Sequence, residues 1–213
     1  MVTPHLNNDI LQLHEPLLGE QDSLWNIRDL FGYTVRAKDG EAGKVHDFYF
    51  DDKSWAIRYL VVDLGDWALD TGQWIPGQKV VVPAMVCGQP LRETQVLPLT
   101  LPQEQVKLSP TLEIYKKWSD KPSSCSVREV TGNYIQALDG DMGHVEGFII
   151  DSKTWVISSI MVDTKNWWPA KKVLISPLWV DRVNVISSTV FVDLPQDFIK
   201  NSPEFKRKAF SNN

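Results

Sequence analysis

The stretch that decides the fold is residues 31–67, FGYTVRAKDGEAGKVHDFYFDDKSWAIRYLVVDLGDW, because it returns 100 residues later as TGNYIQALDGDMGHVEGFIIDSKTWVISSIMVDTKNW at 131–167. Aligned without a gap, 14 of the 37 positions are identical. Chance does not repeat glycines and tryptophans so regularly, and a fixed period of this kind indicates one structural unit built twice. The identical pairs include Gly32 with Gly132, Asp39 with Asp139, Gly40 with Gly140, Gly43 with Gly143, Phe48 with Phe148, Trp55 with Trp155, Asp63 with Asp163 and Trp67 with Trp167.

The repeat extends beyond this stretch. After Trp67 the first copy carries about six extra residues, and the two copies resume in register when Pro83 is equated with Pro177. We therefore divide the chain into an acidic leader, two units of similar length, a linker and a tail. Their ranges are 1–22 for the leader, 23–112 for the first unit, 113–122 for the linker, 123–205 for the second unit and 206–213 for the tail.

Within each unit the residue pattern is that of β-strands. Asp39-Gly40 and Gly43 provide the positive φ values that a tight hairpin needs. Residues 56–63 and 79–82 are rich in β-branched and aromatic residues, as strands are. Short strands separated by frequent turns predict a small barrel, and a proline-led polar segment at the end of each unit predicts a short helix. The predicted fold is therefore all-β, with two tandem small β-barrels, each closed by a short C-terminal helix.

This order of elements resembles the PRC-barrel family. The residues that carry the resemblance are the hairpin at 43–47, the strand and loop at 59–67 and the strand at 79–83. The family includes the cytoplasmic barrel of the photosynthetic reaction-centre H subunit and, more distantly, the ribosome-maturation factor RimM. The resemblance implies two tandem PRC-barrel-like units, each a six-stranded barrel used for protein binding or scaffolding, with no reaction attached to the fold.

Charge and hydropathy exclude several classes of protein. The chain has 213 residues, 43% of them apolar, and a net charge of −5, which is typical of a globular protein and not of a nucleic-acid-binding one. The first 22 residues contain four acidic residues and no Lys or Arg, the reverse of a secretory signal. No apolar run is long enough to form a spanning helix. We therefore expect a cytoplasmic protein without membrane insertion.

Nine tryptophans are the main compositional excess. Trp55 and Trp155 precede apolar strands, so we expect them in the core or at a barrel rim. The other candidates lie in or beside the one loop that differs in length between the copies. They are predicted to bind a partner as exposed rings or, equally, to fill the seam between the two barrels. These candidate partner-binding residues are Trp67, Trp74, Trp167 and Trp168.

The remaining conspicuous residues are given structural roles. Four acids in the two hairpin turns lack the run of oxygen donors that a calcium loop needs, so we predict no metal site. Cys87 and Cys125 have no redox or zinc spacing. No catalytic motif is present, and we predict no catalytic residue and no cofactor. The predicted turn or loop-capping residues are Asp39, Gly40, Gly43, Asp63, Asp139, Gly140, Gly143 and Asp163.

The sequence thus predicts a non-catalytic protein-binding or scaffolding module that self-associates as a homodimer, with an unidentified protein partner. Three alternatives remain open. One is a RimM-like ribosome-associated factor, and another is an accessory protein of photosynthetic electron transport. The third is an enzyme with a site in the cleft between the units, where Asp63 or Asp163 and His46 act as an acid and base pair.

Overall fold

The computed structural model describes residues 23–67, 74–118, 124–164 and 171–200. These residues form an all-β fold in which two barrel-like sheets are accompanied by a few short helices. Within these ranges no helix has the length and apolarity needed to span a bilayer.

The described residues of the first repeat form eight strands, two short 3₁₀ helices and two α-helices. They are β1 (Leu24–Asn26), a 3₁₀ helix (Ile27–Leu30), β2 (Thr34–Ala37), β3 (Gly40–Asp51), β4 (Ile57–Asp63), β5 (Asp66–Trp67), β6 (Trp74–Ile75), β7 (Lys79–Pro83), a 3₁₀ helix (Ala84–Val86), β8 (Val96–Pro98), α1 (Gln103–Lys107) and α2 (Leu112–Trp118).

The second repeat follows the same plan, with a fuller strand pair near its end. Its elements are β9 (Ser124–Ser126), α3 (Val127–Val130), β10 (Tyr134–Ala137), β11 (Gly140–Asp151), β12 (Val156–Asp163), β13 (Lys172–Ile175), a 3₁₀ helix (Pro177–Trp179), β14 (Val180–Asn184), β15 (Thr189–Val192) and α4 (Gln196–Lys200).

The two large sheets have matching strand order. It is β7-β4-β3-β2-β8 in the first and β13-β12-β11-β10-β15-β14 in the second. The β2–β8 and β10–β15 pairs are parallel, and the other pairs along these paths are antiparallel. The helix predicted at the end of each unit is present as α1 and α4.

The strand register corrects one detail of the repeat alignment. Lys79 lies opposite Asp63 and Lys172 lies opposite Asp163, so Pro83 is equivalent to Ser176 and not to Pro177. A sequence alignment matches the two prolines because they are identical, although they occupy different structural positions. Pro83 ends a strand, whereas Pro177 occupies the first turn of a 3₁₀ helix, where a missing N–H costs nothing.

The repeats exchange their first strands. β1 comes from the first repeat but pairs antiparallel with β11 of the second, with Trp25 opposite Ile150. Reciprocally, β9 opens the second repeat and pairs with β3 of the first, with Cys125 opposite Phe50. Each sheet is therefore completed by the other half of the chain, and the two units share one connected apolar core.

Trp55 and Trp155 form the centre of the seam between the units. Both are almost fully buried, and both hold a left-handed backbone, with φ of 56° and 55°. The carbonyl of each accepts a hydrogen bond from an amide of the other unit, at 2.7 Å from Ile57 N to Trp155 O and 2.8 Å from Ile157 N to Trp55 O. These bonds, and ring contacts such as Phe48 with Trp155, offset a backbone strain of about 1–2 kcal/mol per residue.

The short helices at the ends of the repeats are hydrogen-bonded to the hairpins of the sheets. The N–H of Gln103, the first residue of α1, donates to Asp39 Oδ1 at 2.7 Å, and Gln196 makes the same bond to Asp139 at the start of α4. In the first repeat the chain before α2 also follows the outer edge of β7, where Val81 N donates to Pro110 O at 2.9 Å. The short helices therefore fasten the hairpins and one sheet edge in place.

Candidate functional site

In the longer loop of the first repeat, the described arms β5 and β6 start from a base that the carboxylate of Asp63 holds together as a clamp. Asp63, the last residue of β4, is almost fully buried, and its Oδ1 accepts the N–H groups of Gly65 at 2.9 Å and Gly77 at 2.7 Å. Asp63 Oδ2 lies 3.9 Å from Lys79 Nζ. One side chain thus ties together the two ends of the loop, which is the loop-capping arrangement expected of this residue type.

The two glycines at the clamp allow the backbones to cross closely. A Cβ atom on Gly65 would lie 2.0 Å from the carbonyl oxygen of Ile75, and one on Gly77 would lie 2.9 Å from Gly65 Cα. Leu64 N also donates to Gln78 O at 2.9 Å. The base of the hairpin is therefore fixed by backbone contacts that a larger side chain would not permit.

Above this base β5 and β6 form a separate two-stranded sheet in which Trp67 is opposite Trp74. The descending arm is exposed from Ile75 to Gln78, and Ile75 retains 56% of its accessible surface. The hairpin leaves β4 at Asp63, whereas the seam lies at the Ile57 end of the same strand, about 20 Å away for seven residues. The base of the hairpin therefore lies at the end of β4 opposite to Ile57, whose N–H donates to the carbonyl of Trp155.

The second repeat closes the corresponding loop differently. Thr164 follows Asp163, and its Oγ1 donates to Lys171 O at 2.7 Å and accepts from Lys171 N at 3.0 Å. A hydroxyl group here bridges the loop ends that Asp63 bridges in the first repeat. Trp167 and Trp168, the two candidates in this loop, lie outside the described residues.

The predicted turn residues lie in the two β-hairpins. All four turn glycines have φ between 126° and 151°. A Cβ on Gly43 would lie 2.2 Å from the carbonyl oxygen of Asp63, and one on Gly143 would lie 2.1 Å from that of Asp163. Within the described ranges no group of three or more His, Cys, Asp or Glu side chains is arranged to hold a metal ion. The four turn glycines are Gly40, Gly43, Gly140 and Gly143.

His46 takes part in a cationic cluster that residue patterns did not reveal. It occupies a β-bulge in β3, because the pairing with β4 passes directly from Val45 to Asp47. Its carbonyl accepts a hydrogen bond from Arg128 Nε at 2.5 Å. Burial lowers the pKa of His46, and the positive charges of Arg128 and Lys79 lower it further, while Asp63 opposes them. We call Arg128, Lys79 and the neighbouring imidazole of His46 the cationic cluster; its charges are those of Arg128 and Lys79.

Asp47, the next residue, joins the first sheet to the exchanged segment. Ser126 Oγ donates to its Oδ2 at 2.5 Å, and the N–H groups of Phe48 and Arg128 donate to its Oδ1 at 2.8 and 3.2 Å. Only 6% of the residue is exposed, and this burial raises the pKa of Asp47 despite the three hydrogen bonds. Its role is to hold β9 and α3 on the bulge of β3.

Two further exposed groups were also missed by sequence analysis. Met85 and Leu178 occupy equivalent places in the 3₁₀ helices after β7 and β13, and each is 89% exposed. The alignment on prolines concealed this equivalence, because it shifted the second copy by one residue. The correct strand register, which pairs Lys79 with Asp63 and Lys172 with Asp163, is the signal that finds it.

Comparison with known protein families finds a match in the first repeat. No curated protein matches the sequence significantly. The family model of the PRC-barrel domain matches residues 25–85, from β1 to the 3₁₀ helix after β7. This part of the chain, which contains β1–β4 and β7, is similar to a PRC-barrel domain.

Proposed function

We propose that the protein is a non-catalytic binding and scaffolding module that associates with a second copy of itself through the β5–β6 hairpin. The observation that carries the proposal is the clamped hairpin that places Trp67 opposite Trp74. We further propose that the second repeat is a second PRC-barrel-like unit and that the protein works in the cytoplasm. The PRC-barrel match at residues 25–85 is compatible with a non-catalytic binding role.

The geometry of the hairpin favours a second copy as the partner. β5 and β6 pair with each other and, among the described residues, with no further strand. A two-stranded ribbon is marginally stable in water, and its outer edges are templates for another strand. If two ribbons pair across a two-fold axis, they form a four-stranded sheet with the same patch on both copies. Aromatic residues supply much of the contact energy in such interfaces.

The clamp at Asp63 reduces the conformational entropy that the hairpin would lose when it binds a second copy. A loop that must be ordered on binding loses conformational entropy at that moment, which lowers the affinity. Here Asp63, Gly65 and Gly77 hold the base of the hairpin in the free chain. The ribbon is therefore preorganised before a second copy arrives.

Sedimentation equilibrium tests the proposal with a Trp67→Ser, Trp74→Ser double variant. We expect the dimer dissociation constant to rise at least tenfold, because loss of one interface tryptophan commonly costs about 2 kcal/mol. Ile186→Ser is the matched control, since Ile186 is 96% exposed and lies in the β14–β15 turn of the other repeat. A wild-type chain that stays monomeric at all concentrations, or a double variant that dimerises normally, contradicts the proposal.

A further inference from the structure

In the second repeat one glutamate forms salt bridges with two cations, and this arrangement serves as a template for the equivalent place in the first repeat. Glu146 lies on the bulge of β11, and its Oε1 is 2.7 Å from Lys172 Nζ and 3.9 Å from Arg28 Nη1. Arg28 Nη1 also donates to the carbonyl of Glu146 at 2.8 Å. One carboxylate on the bulge therefore joins a cation from the exchanged segment to a cation from the edge strand.

The first repeat keeps both cations and replaces the carboxylate. Arg128 is the counterpart of Arg28 and bonds the carbonyl of His46, just as Arg28 bonds that of Glu146. Lys79 is the counterpart of Lys172 and begins the edge strand in the same register. His46 stands at the bulge position of Glu146. The carboxylate that bridges the two cations in the second repeat is thus replaced by an imidazole in the first.

We propose that the cationic cluster of Arg128, His46 and Lys79 binds a glutamate or aspartate side chain from an acidic segment of another protein. The incoming carboxylate takes the position that Glu146 fills in the second repeat. This site adjoins the base of the β5–β6 ribbon, since Lys79 Nζ lies 3.9 Å from Asp63 Oδ2, but it contains no residue of β5 or β6. A self-associating scaffold therefore has one set of residues for its own copy and another for an acidic partner. The proposal therefore does not depend on how the chain self-associates.

The other charges around the cluster are compatible with this ligand. Asp63 Oδ2 lies 3.9 Å from Lys79 Nζ and offsets part of its charge, whereas Asp63 Oδ1 is bonded to two amides. Asp47 is buried and directed to Ser126. After burial, which is the largest cause, the charges of Arg128 and Lys79 lower the pKa of His46, and Asp63 opposes them.

The site also depends on the strand exchange. Arg128 belongs to α3 of the second repeat, whereas His46 and Lys79 belong to the first. Asp47 fixes this segment by accepting the N–H of Arg128 and the hydroxyl of Ser126. The guanidinium group of Arg128 also lies 4.3 Å from the centre of the Phe31 ring, which limits its freedom. The positions of the cations are therefore set before a ligand binds.

An NMR titration of the full-length chain with an N-acetylated, C-amidated hexaglutamate peptide tests the proposal. We expect shifts at His46 and at the Arg128 side chain, and a rise in the pKa of His46 when the peptide is bound. The variant His46→Glu inserts the carboxylate of the template and should weaken binding about fivefold. The variant Glu146→His should create a second site, with new shifts at Arg28 and Lys172. Both variants exchange residues that the same bulge already accepts.

Several outcomes would overturn the proposal. One is unchanged peptide binding in His46→Glu, and another is tight binding of inorganic phosphate with no response to hexaglutamate. A third is a pKa of His46 in the free protein that is already above the ordinary value, because the chain's own acidic residues then fill the site. If His46→Glu also abolishes self-association, the acidic ligand belongs to a second copy and the proposal is wrong. If the Trp67→Ser, Trp74→Ser variant dimerises normally, the proposed self-association is wrong, but the hexaglutamate titration is still a valid test of the cationic cluster.

Discussion

Trp25→Ala is the most direct test of the strand exchange. Trp25 is 3% exposed, and its indole ring makes an edge contact with Tyr33 at 6.1 Å between centroids. The guanidinium of Arg92 lies 3.7 Å from the centre of the same ring. Through its backbone, however, Trp25 pairs with Ile150 of the second repeat. One side chain therefore packs on the first unit while its strand completes the sheet of the second.

The expected cost follows from burial. A tryptophan side chain buries about 200 Å², which at about 25 cal/mol per Å² corresponds to about 5 kcal/mol as an upper estimate. Truncation of a buried tryptophan measures about 3–5 kcal/mol in proteins. We expect Trp25→Ala to lower the free energy of unfolding by about 4 kcal/mol. Cys125→Ala, at the equivalent place in the second repeat, removes one small group and should cost about 1 kcal/mol.

Urea denaturation measures the loss, and hydrogen exchange with mass spectrometry shows where it occurs. Because β1 joins the units, we expect faster exchange in peptides from both large sheets in Trp25→Ala, and one unfolding transition. Exchange that accelerates only in the first sheet, or two separate transitions of which one is unchanged, would refute the reasoning. Either result would mean that β1 contributes little to the stability of the second unit.

Three further perturbations test other features. Gly65→Ala places a Cβ 2.0 Å from Ile75 O, so we expect the free energy of unfolding to fall by about 1–3 kcal/mol and the hairpin amides to exchange rapidly. Gly32→Ala is the control: its Cβ meets open space, and the variant should cost only about 1 kcal/mol because of the φ of 83°. Burial raises the pKa of Asp47 above its unfolded value, so the stability associated with its protonated form is lost as pH rises from the unfolded pKa through the folded one. Unfolding measured in steps from about pH 4 upward should show that Asp47→Asn removes this part of the slope, and an unchanged slope contradicts the assignment. Burial also raises the pKa of Cys125 to about 12, so iodoacetamide at pH 8 should alkylate this thiol only after unfolding. Rapid labelling of Cys125 in the native chain would show that β9 is not docked on β3.

Much of the local structure was predictable because it is encoded by neighbouring residues. Asp39-Gly40 and Gly43 specify a hairpin through their backbone conformations, and the structure has β3 continuing from it. The β-branched strand at 79–82 is present as β7, and the Pro102-led helix as α1. The all-β class was therefore confirmed.

The arrangement of the repeats was not predictable from these signals. A β1 residue such as Trp25 has the same pattern whether it pairs within its own unit or with the other one, because periodicity reports the buried face and not the partner strand. The cationic cluster was hidden for a related reason, since Arg128 and His46 are 82 residues apart and only the exchange brings them together. The roles of the four loop tryptophans remain predictions.

The exchanged strands also constrain how the polypeptide matures during synthesis. Trp25 and Ile150 are separated by 125 positions, and a nascent chain grows by about 5–20 residues per second. After β1 is made, roughly 6–25 s pass before its pairing partner has even been translated. Throughout that interval β1 lacks its partner strand and Leu24 lacks Ile149 and Met161, so a holding chaperone has an apolar target in β1. Slowing elongation between the halves should therefore lower the yield of native product more than slowing it afterwards.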